Sequence, residues 1–151
     1  MIVFRISKCK YIKDLSGYGA FINGGRWNNE GTRMLYCASS ASLALLETLA
    51  HLPSHLASTD FCLLRLEFPD KFIQKISIEN LPSNWNALPF SYTTQKLGNT
   101  FIAVNKFLAL QIPSAIMEIE NNILLNPSHP HFNQVKIISH EKINIDKRLK
   151  Q

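Results

Sequence analysis

Apolar residues in this chain come in short runs separated by polar stretches punctuated with glycine, proline or asparagine, and the spacing within each run sets the element it predicts. Residues 2–6 are β-branched and aromatic and predict a strand, with Arg5 pointing away from its apolar neighbours. Residues 34–38 form a short apolar run around Tyr36 and Cys37 that fits a buried strand. Ser39 or Ser40 can then cap a helix over residues 41–51, in which Ala41, Leu45, Leu49 and Leu52 make one stripe with Glu47 off its centre, and Pro53 stops it.

Further along, residues 61–68 alternate as a strand with Arg65 and Glu67 on one face, and residues 73–78 predict another. Residues 81–88, rich in Pro, Asn and Trp, read as a loop. A helix is expected from a cap at Thr93 or Thr94 to about Leu110, weakened by Gly98. Residues 115–118 predict a short strand, residues 121–127 a turn, and residues 135–139 a last strand, with the final dozen residues loosely held.

Composition adds bounds to this pattern. A chain of 151 residues with 46% hydrophobic content suits one domain over residues 1–151. The charge balance, 16 − 11 = +5, favours an anionic partner: a nucleotide, a nucleic acid or an acidic protein surface. Cys9, Cys37 and Cys62 lie far apart, so neither a CxxC pair nor a disulfide framework is expected, and a reduced cytosol is the simplest setting. With no secretory leader and no apolar run of membrane-spanning length, a soluble intracellular protein is expected.

Candidate chemistry concentrates in residues 24–47, GGRWNNEGTRMLYCASSASLALLE. Gly24-Gly25 and Asn28-Asn29 with Gly31 mark tight turns that hold Arg26 on a constrained loop. A guanidinium offers a planar fork of donors for phosphate or amide groups, and an aromatic ring such as that of Tyr36 offers a face for a cationic ring. A pocket carboxylate, here Glu47, can hold a ribose hydroxyl and stabilise the positive charge that develops when a glycosidic bond breaks. Each residue also has a structural reading: Tyr36 as a core residue, Arg26 as a loop brace, Glu47 as a solvated helix edge, Ser114 as a turn hydroxyl. Arg5 is a second possible anion ligand.

Other chemistries find less support. His51 and His55 have i, i+4 spacing, but Pro53 lies between them, and His129 and His131 flank Pro130 without a nearby acidic ligand, so no metal is expected. No cysteine-histidine signature, GxGxxG or GxxxxGK[ST] is present.

The segments DLSGYGA, GGRWNNEGTRMLYCASSASLALLETLAHL, LPSNW, QIPSAI and NNILLNPSHPHF, in this order from about residue 4 to residue 148, resemble the RES domain, named for an arginine, a glutamate and a serine. By motif the resemblance assigns catalytic roles to Arg26, Tyr36, Glu47 and Ser114, and the NP turn to Asn126 and Pro127. Nucleotide binding then falls to Arg5, Arg26, Tyr36, Asn126 and Ser128, with Ser128 the competitor of Ser114 as the family serine. The resemblance implies an α+β domain with a mixed β-sheet core and flanking helices, similar to ADP-ribosyltransferases such as diphtheria toxin. It further implies a cytoplasmic toxin of a bacterial toxin–antitoxin pair that consumes NAD as substrate by breaking its nicotinamide–ribose bond, without a metal. The implied partner is an Xre-type helix-turn-helix antitoxin, with self-association and no direct nucleic-acid binding by the toxin. Two rivals from other classes are a basic nucleic-acid-binding module and a catalytically silent partner-binding domain.

Overall fold

In the computed structural model, which describes residues 1–52 and 60–149, the apolar runs become the strands of one seven-stranded sheet. In chain order the elements are β1 (Ile2–Lys8), α1 (Tyr18–Asn23), β2 (Leu35–Ala38), α2 (Ala41–His51), β3 (Phe61–Glu67), β4 (Ile73–Lys75), α3 (Tyr92–Val104), β5 (Ala109–Pro113), β6 (Asn121–Leu125) and β7 (Lys136–Ile143). The strands lie in the order β4-β5-β6-β2-β1-β3-β7. Every pairing is antiparallel except β4 with β5, so the sheet is mixed and the fold is α+β.

Register assigns each side chain to a face. Phe4 opposes Ala38, Tyr36 opposes Leu124, and Asn122 opposes both Ala38 and Ile112, so these residues share one face. Onto it pack α2, through Leu43 and Ala44, and α3, through Phe101 with Trp27 and Trp85. Val3, Leu35, Cys37, Leu64, Leu66, Ile123 and Leu125 fill the core on the other face. Arg65, paired with Phe4, stacks its guanidinium over that ring at 5.5 Å, and it shares a face with Glu67 as the alternation predicts.

Several boundaries differ from the sequence expectation. The strand expected over 73–78 stops at Lys75, and the last strand runs on to Ile143, so pairing with β3 holds part of the segment expected to be loose. The helix expected to reach Leu110 ends at Val104, because Asn105 takes a left-handed conformation (φ 54°) and caps it, and the apolar residues beyond extend as β5. It also starts earlier, capped by Ser91. Residues 121–125, read as a turn, form a central strand whose apolar half, Ile123 to Leu125, is wholly buried, so tertiary pairing overrides the local turn signal of two asparagines. Residues 115–118, read as a strand, make the turn between β5 and β6, closed by Ser114 N–H donating to the Glu120 carbonyl at 2.9 Å. Pro53 and His55 lie outside the described residues, while the cap at the start of α2 is Ser40, which accepts from Leu43 N–H at 3.0 Å.

The cysteine reading needs correction. Cys9 and Cys62 form a disulfide across a sequence separation of 53. The pairing follows from the β1–β3 ladder, in which Lys8 opposes Phe61 and Cys9 N–H donates to the Asp60 carbonyl. Distance in sequence conceals what a strand register brings together. Cys37 is free and buried. Burial pushes its thiol up from 9.0 to about 12, with the Arg5 charge opposing. Unfolding would let this thiol ionise first, so its contribution to stability is fully present below pH 9 and is lost as the pH climbs toward 12. Cys37 should therefore resist thiol-directed reagents at pH 8 and label at the rate of a free thiol only in denaturant.

Candidate active site

The loop that follows α1 is built around one asparagine. Asn28 is wholly buried, its amide nitrogen donates to the carbonyls of Ala20, Asn29 and Thr32 at 2.8–3.1 Å, and its oxygen accepts from the Tyr36 hydroxyl at 2.7 Å. The same hydroxyl accepts from Trp27 N–H at 3.1 Å. Gly25 is required beneath it, since a Cβ there would sit 2.8 Å from the Tyr36 hydroxyl oxygen. Burial pushes the Tyr36 phenol above its ordinary value, with the Trp27 N–H opposing, so the hydroxyl stays protonated and available as a donor to Asn28. Tyr36 here fits its reading as a core residue: its ring packs with the Trp27, Leu110 and Leu124 cluster, and its hydroxyl locks the loop that carries Arg26.

Arg26 projects from this loop across to residues 85–90. Its Nη1 donates to the carbonyls of Trp85 at 2.7 Å and Ala87 at 2.9 Å, and its guanidinium lies 4.9 Å over the Phe90 ring. Nη1 carries two hydrogens, so these two carbonyls use it fully and leave the N–H groups of Nε and Nη2 for another acceptor. Partial burial lowers the proton affinity of Arg26, and the negative charge of Glu47 opposes this.

Glu47 lies on the α2 face that meets the sheet. Its Oε1 accepts from the Ser114 hydroxyl at 2.8 Å and from the Asn122 amide at 2.6 Å. Ser114 is wholly buried at the end of β5, and its oxygen also accepts from Ile116 and Met117 N–H, so its single proton is directed to the carboxylate. Oε2 lies 4.0 Å from His51 Nε2, one helical turn along α2. The His51 ring meets Phe90 edge-on at 6.2 Å. Contacts therefore run from Arg26 through Phe90 and His51 to Glu47, whose carboxylate is held by Ser114.

Of the residues singled out from sequence, Arg26, Tyr36, Glu47 and Ser114 converge. Arg5 does not: it pairs with Leu64 on the opposite face of the sheet from Tyr36, where its Nη1 donates to the Ile12 carbonyl at 3.2 Å and braces the following loop. Asn126 and Ser128 sit past the far end of β6 from Asn122, roughly 13 Å away along an extended chain. Asn126 is wholly buried, donates to Asn105 Oδ1 at 2.8 Å and accepts from Ser128 N–H at 3.0 Å, so it ties the end of α3 to this turn. Between Ser114 and Ser128, the one at Glu47 is Ser114.

Asn28, Asn122, His51 and Phe90 are site residues that sequence reasoning missed. The signal for Asn122 was a polar residue directly before an apolar run, and for His51 its i+4 relation to Glu47 rather than to His55. A separate groove of about 550 Å³, lined by Lys96, Phe101, Val104 and Leu110, contains none of the converging residues. Among the described residues no group of three or more His, Cys, Asp or Glu side chains is arranged to hold a metal, and no helix is long and apolar enough to cross a membrane.

Comparison with known proteins is consistent across sequence and structure. A protein of Photorhabdus laumondii named Toxin Res is 40% identical over 154 residues, covering 99% of this chain and 97% of its own. One of Sphingobium named Prs ADP-ribosylating toxin is 37% identical over 139 residues, covering 90% of this chain and 86% of its own. The fold is similar to a chain in the crystal structure of the M. tuberculosis MbcT-MbcA toxin-antitoxin complex, with TM-score 0.78 and 15% identity over 95% of this chain and 84% of the other. The RES domain model matches residues 2–146, and with relatives of this similarity along nearly its whole length the chain belongs to the RES domain family.

Proposed function

We propose that this protein is the toxin of a toxin–antitoxin pair and that it breaks the nicotinamide–ribose bond of NAD. The observation that carries the reading is the asymmetry of Glu47: one carboxylate oxygen is held by Ser114 and Asn122, and the other lies 4.0 Å from His51 Nε2 with no hydrogen bond among the described residues. A fixed negative charge with one oxygen committed to the protein can hold a ribose hydroxyl through the other and stabilise the cation that forms at the anomeric carbon.

The bond breaks with its electron pair leaving on nicotinamide, which departs neutral and needs no general acid. The ribosyl carbon is left positively charged beside Glu47, and a nucleophile then adds and gives up its proton. Arg26 supplies its remaining N–H groups to the anionic or amide parts of the substrate, and Tyr36 and Phe90 supply aromatic surface near the nicotinamide. The acceptor is water, phosphate or a protein side chain. The name of the Sphingobium relative favours protein transfer for that protein. In this chain, mass analysis of the product separates free ADP-ribose, its phosphate ester and a modified protein.

The direct test is release of nicotinamide from NAD by the purified protein. No release, with intact NAD and tight capture of a partner, returns the silent-binding alternative, and salt-dependent nucleic-acid binding without NAD loss returns the nucleic-acid-binding one. Arg26→Lys should raise KM for NAD about 10-fold or more, because an ammonium is a single donor centre and cannot hold the Trp85 and Ala87 carbonyls while presenting a separate planar pair of N–H groups to a ligand, as Nε and Nη2 do. An unchanged KM and kcat in that variant would leave Arg26 a loop brace.

Control follows from the activity, since an enzyme that destroys NAD in the cytoplasm must be restrained there. We place the restraint in an Xre-type helix-turn-helix antitoxin that covers Arg26 and Glu47 and uses the same arginine donors, with the toxin also self-associating and reaching DNA only through the antitoxin. In support, the similar M. tuberculosis chain was crystallised in a toxin-antitoxin complex. Co-purification with the product of the neighbouring gene, followed by competition with NAD, tests it. A stable complex that still turns over NAD at the free rate would exclude occlusion.

A further inference from the structure

We propose that Asn122 is a positioning residue for Glu47, fixing the plane of its carboxylate so that Oε2 faces the substrate; the inference rests on the reading of Glu47 as the acting carboxylate. Asn122 is the second residue of β6 and is paired on both sides, to Ala38 of β2 and Ile112 of β5. Its backbone is therefore held by two ladders. Ala38 beside it has only a methyl group, which leaves room for the asparagine amide to rise toward α2 and meet Oε1 at 2.6 Å.

The terminal torsion of a glutamate is soft, so one hydrogen bond leaves the carboxylate free to turn about it. Ser114, just past the end of β5, and Asn122, paired with Ile112 two residues before it, converge on the same oxygen and remove that freedom. An amide suits the task because it donates without carrying charge: a lysine or arginine here would neutralise the anion that the ribosyl cation needs. The helix bearing Glu47 is also clamped to the start of the strand bearing Asn122. Ser39 N–H donates to the Asn121 carbonyl at 2.9 Å, Asn121 N–H donates to Ser39 Oγ at 3.2 Å, and the Ser40 hydroxyl donates to Glu120 Oε2 at 2.5 Å. These three bonds tie the start of the helix to the start of the strand, beside the Asn122–Glu47 contact.

The test compares wild type, Asn122→Ala and Asn122→Asp by thermal unfolding, by nicotinamide release from NAD between pH 5 and pH 8, and by crystal structures. Asn122→Ala should lower kcat by about 10-fold or more with KM for NAD changed less than about 2-fold, since a lost hydrogen bond to a charged group acts on orientation rather than on binding. Asn122→Asp should be poorest at pH 8, where the introduced carboxylate repels Glu47. As the pH falls, that carboxyl takes up a proton and donates to Oε1 as the amide did, so the rate relative to wild type at the same pH should rise. Arg26, His51 and Tyr36, the other titratable groups facing Glu47, are common to both proteins and cancel in the ratio. A folded Asn122→Ala protein with unchanged kcat, or an Asn122→Asp ratio independent of pH, overturns the proposal.

The crystal structure of Asn122→Ala supplies a readout that does not depend on NAD. Its Glu47 carboxylate should turn away from Ser114, and an unmoved carboxylate overturns the proposal. A turned carboxylate in a protein whose wild type releases no nicotinamide supports Asn122 as the positioning group and instead overturns the assigned reaction.

Discussion

Glu47→Gln is expected to lower the rate of nicotinamide release by at least about 10²-fold in a protein that stays folded. The substitution is nearly isosteric, and the amide oxygen can still accept from Ser114 and Asn122, so the local structure has no reason to collapse. Accepting there fixes the orientation of the new group. Its nitrogen then points where Oε2 pointed, replacing an acceptor with a donor and a negative charge with none. On the proposed mechanism a developing ribosyl cation then loses its counter-charge and a ribose hydroxyl loses its acceptor. The measurement is kcat for nicotinamide release alongside the unfolding midpoint, and wild-type turnover in the folded variant would remove Glu47 from the mechanism.

Gly98→Ala, by contrast, is expected to cost stability where helix propensity alone says it should add some. Glycine within a helix is worse than alanine by about 1 kcal/mol, so an exposed Gly98 would gain from the change. In the fold a Cβ at this position would lie 1.8 Å from the Trp27 carbonyl oxygen, a distance that no side-chain rotation relieves because the obstacle is backbone. α3 and the Trp27 loop must separate. That separation strains the contacts of Gln95 with the Gly25 carbonyl and of Asn99 with Asn29, which hold the loop from the helix side. A loss of about 3 kcal/mol is expected, or roughly 6–12 °C in unfolding midpoint for a chain of this size. Because Arg26 rides on the same loop, KM for NAD should rise with it. An unchanged or raised midpoint would mean that the helix and loop do not meet as closely as the structure places them.

The sequence by itself determined the elements whose signals are local and the motif residues that sit on them. β-branched and apolar runs specify β1, β2 and β3, a serine before an amphipathic stripe specifies α2, and a glycine-rich turn with an arginine specifies a constrained loop bearing a cation. Arg26, Tyr36, Glu47 and Ser114 could be singled out as candidates because residue type and motif order, not geometry, distinguish them. Asn105 was not legible as a helix terminator, since asparagine adopts the left-handed conformation only where the cap geometry asks for it. Nor was Asn126 legible as structural, since its partner is the Asn105 side chain, contributed by the end of α3.

Tertiary structure alone decided which residues share a face and which polar groups are satisfied by one another. Strand parity sent Arg5 to the face opposite Tyr36, a consequence of counting residues along β1 from its pairing with β2, and that pairing is not written in either segment. The same register joined Cys9 to Cys62 and set Asn122 beside Ala38 beneath Glu47. Local propensity encodes how each segment bends, because the interactions responsible lie within a few residues. The company a buried side chain keeps depends on pairings between segments far apart in the chain, and those are fixed only when the whole sheet closes on its two cores.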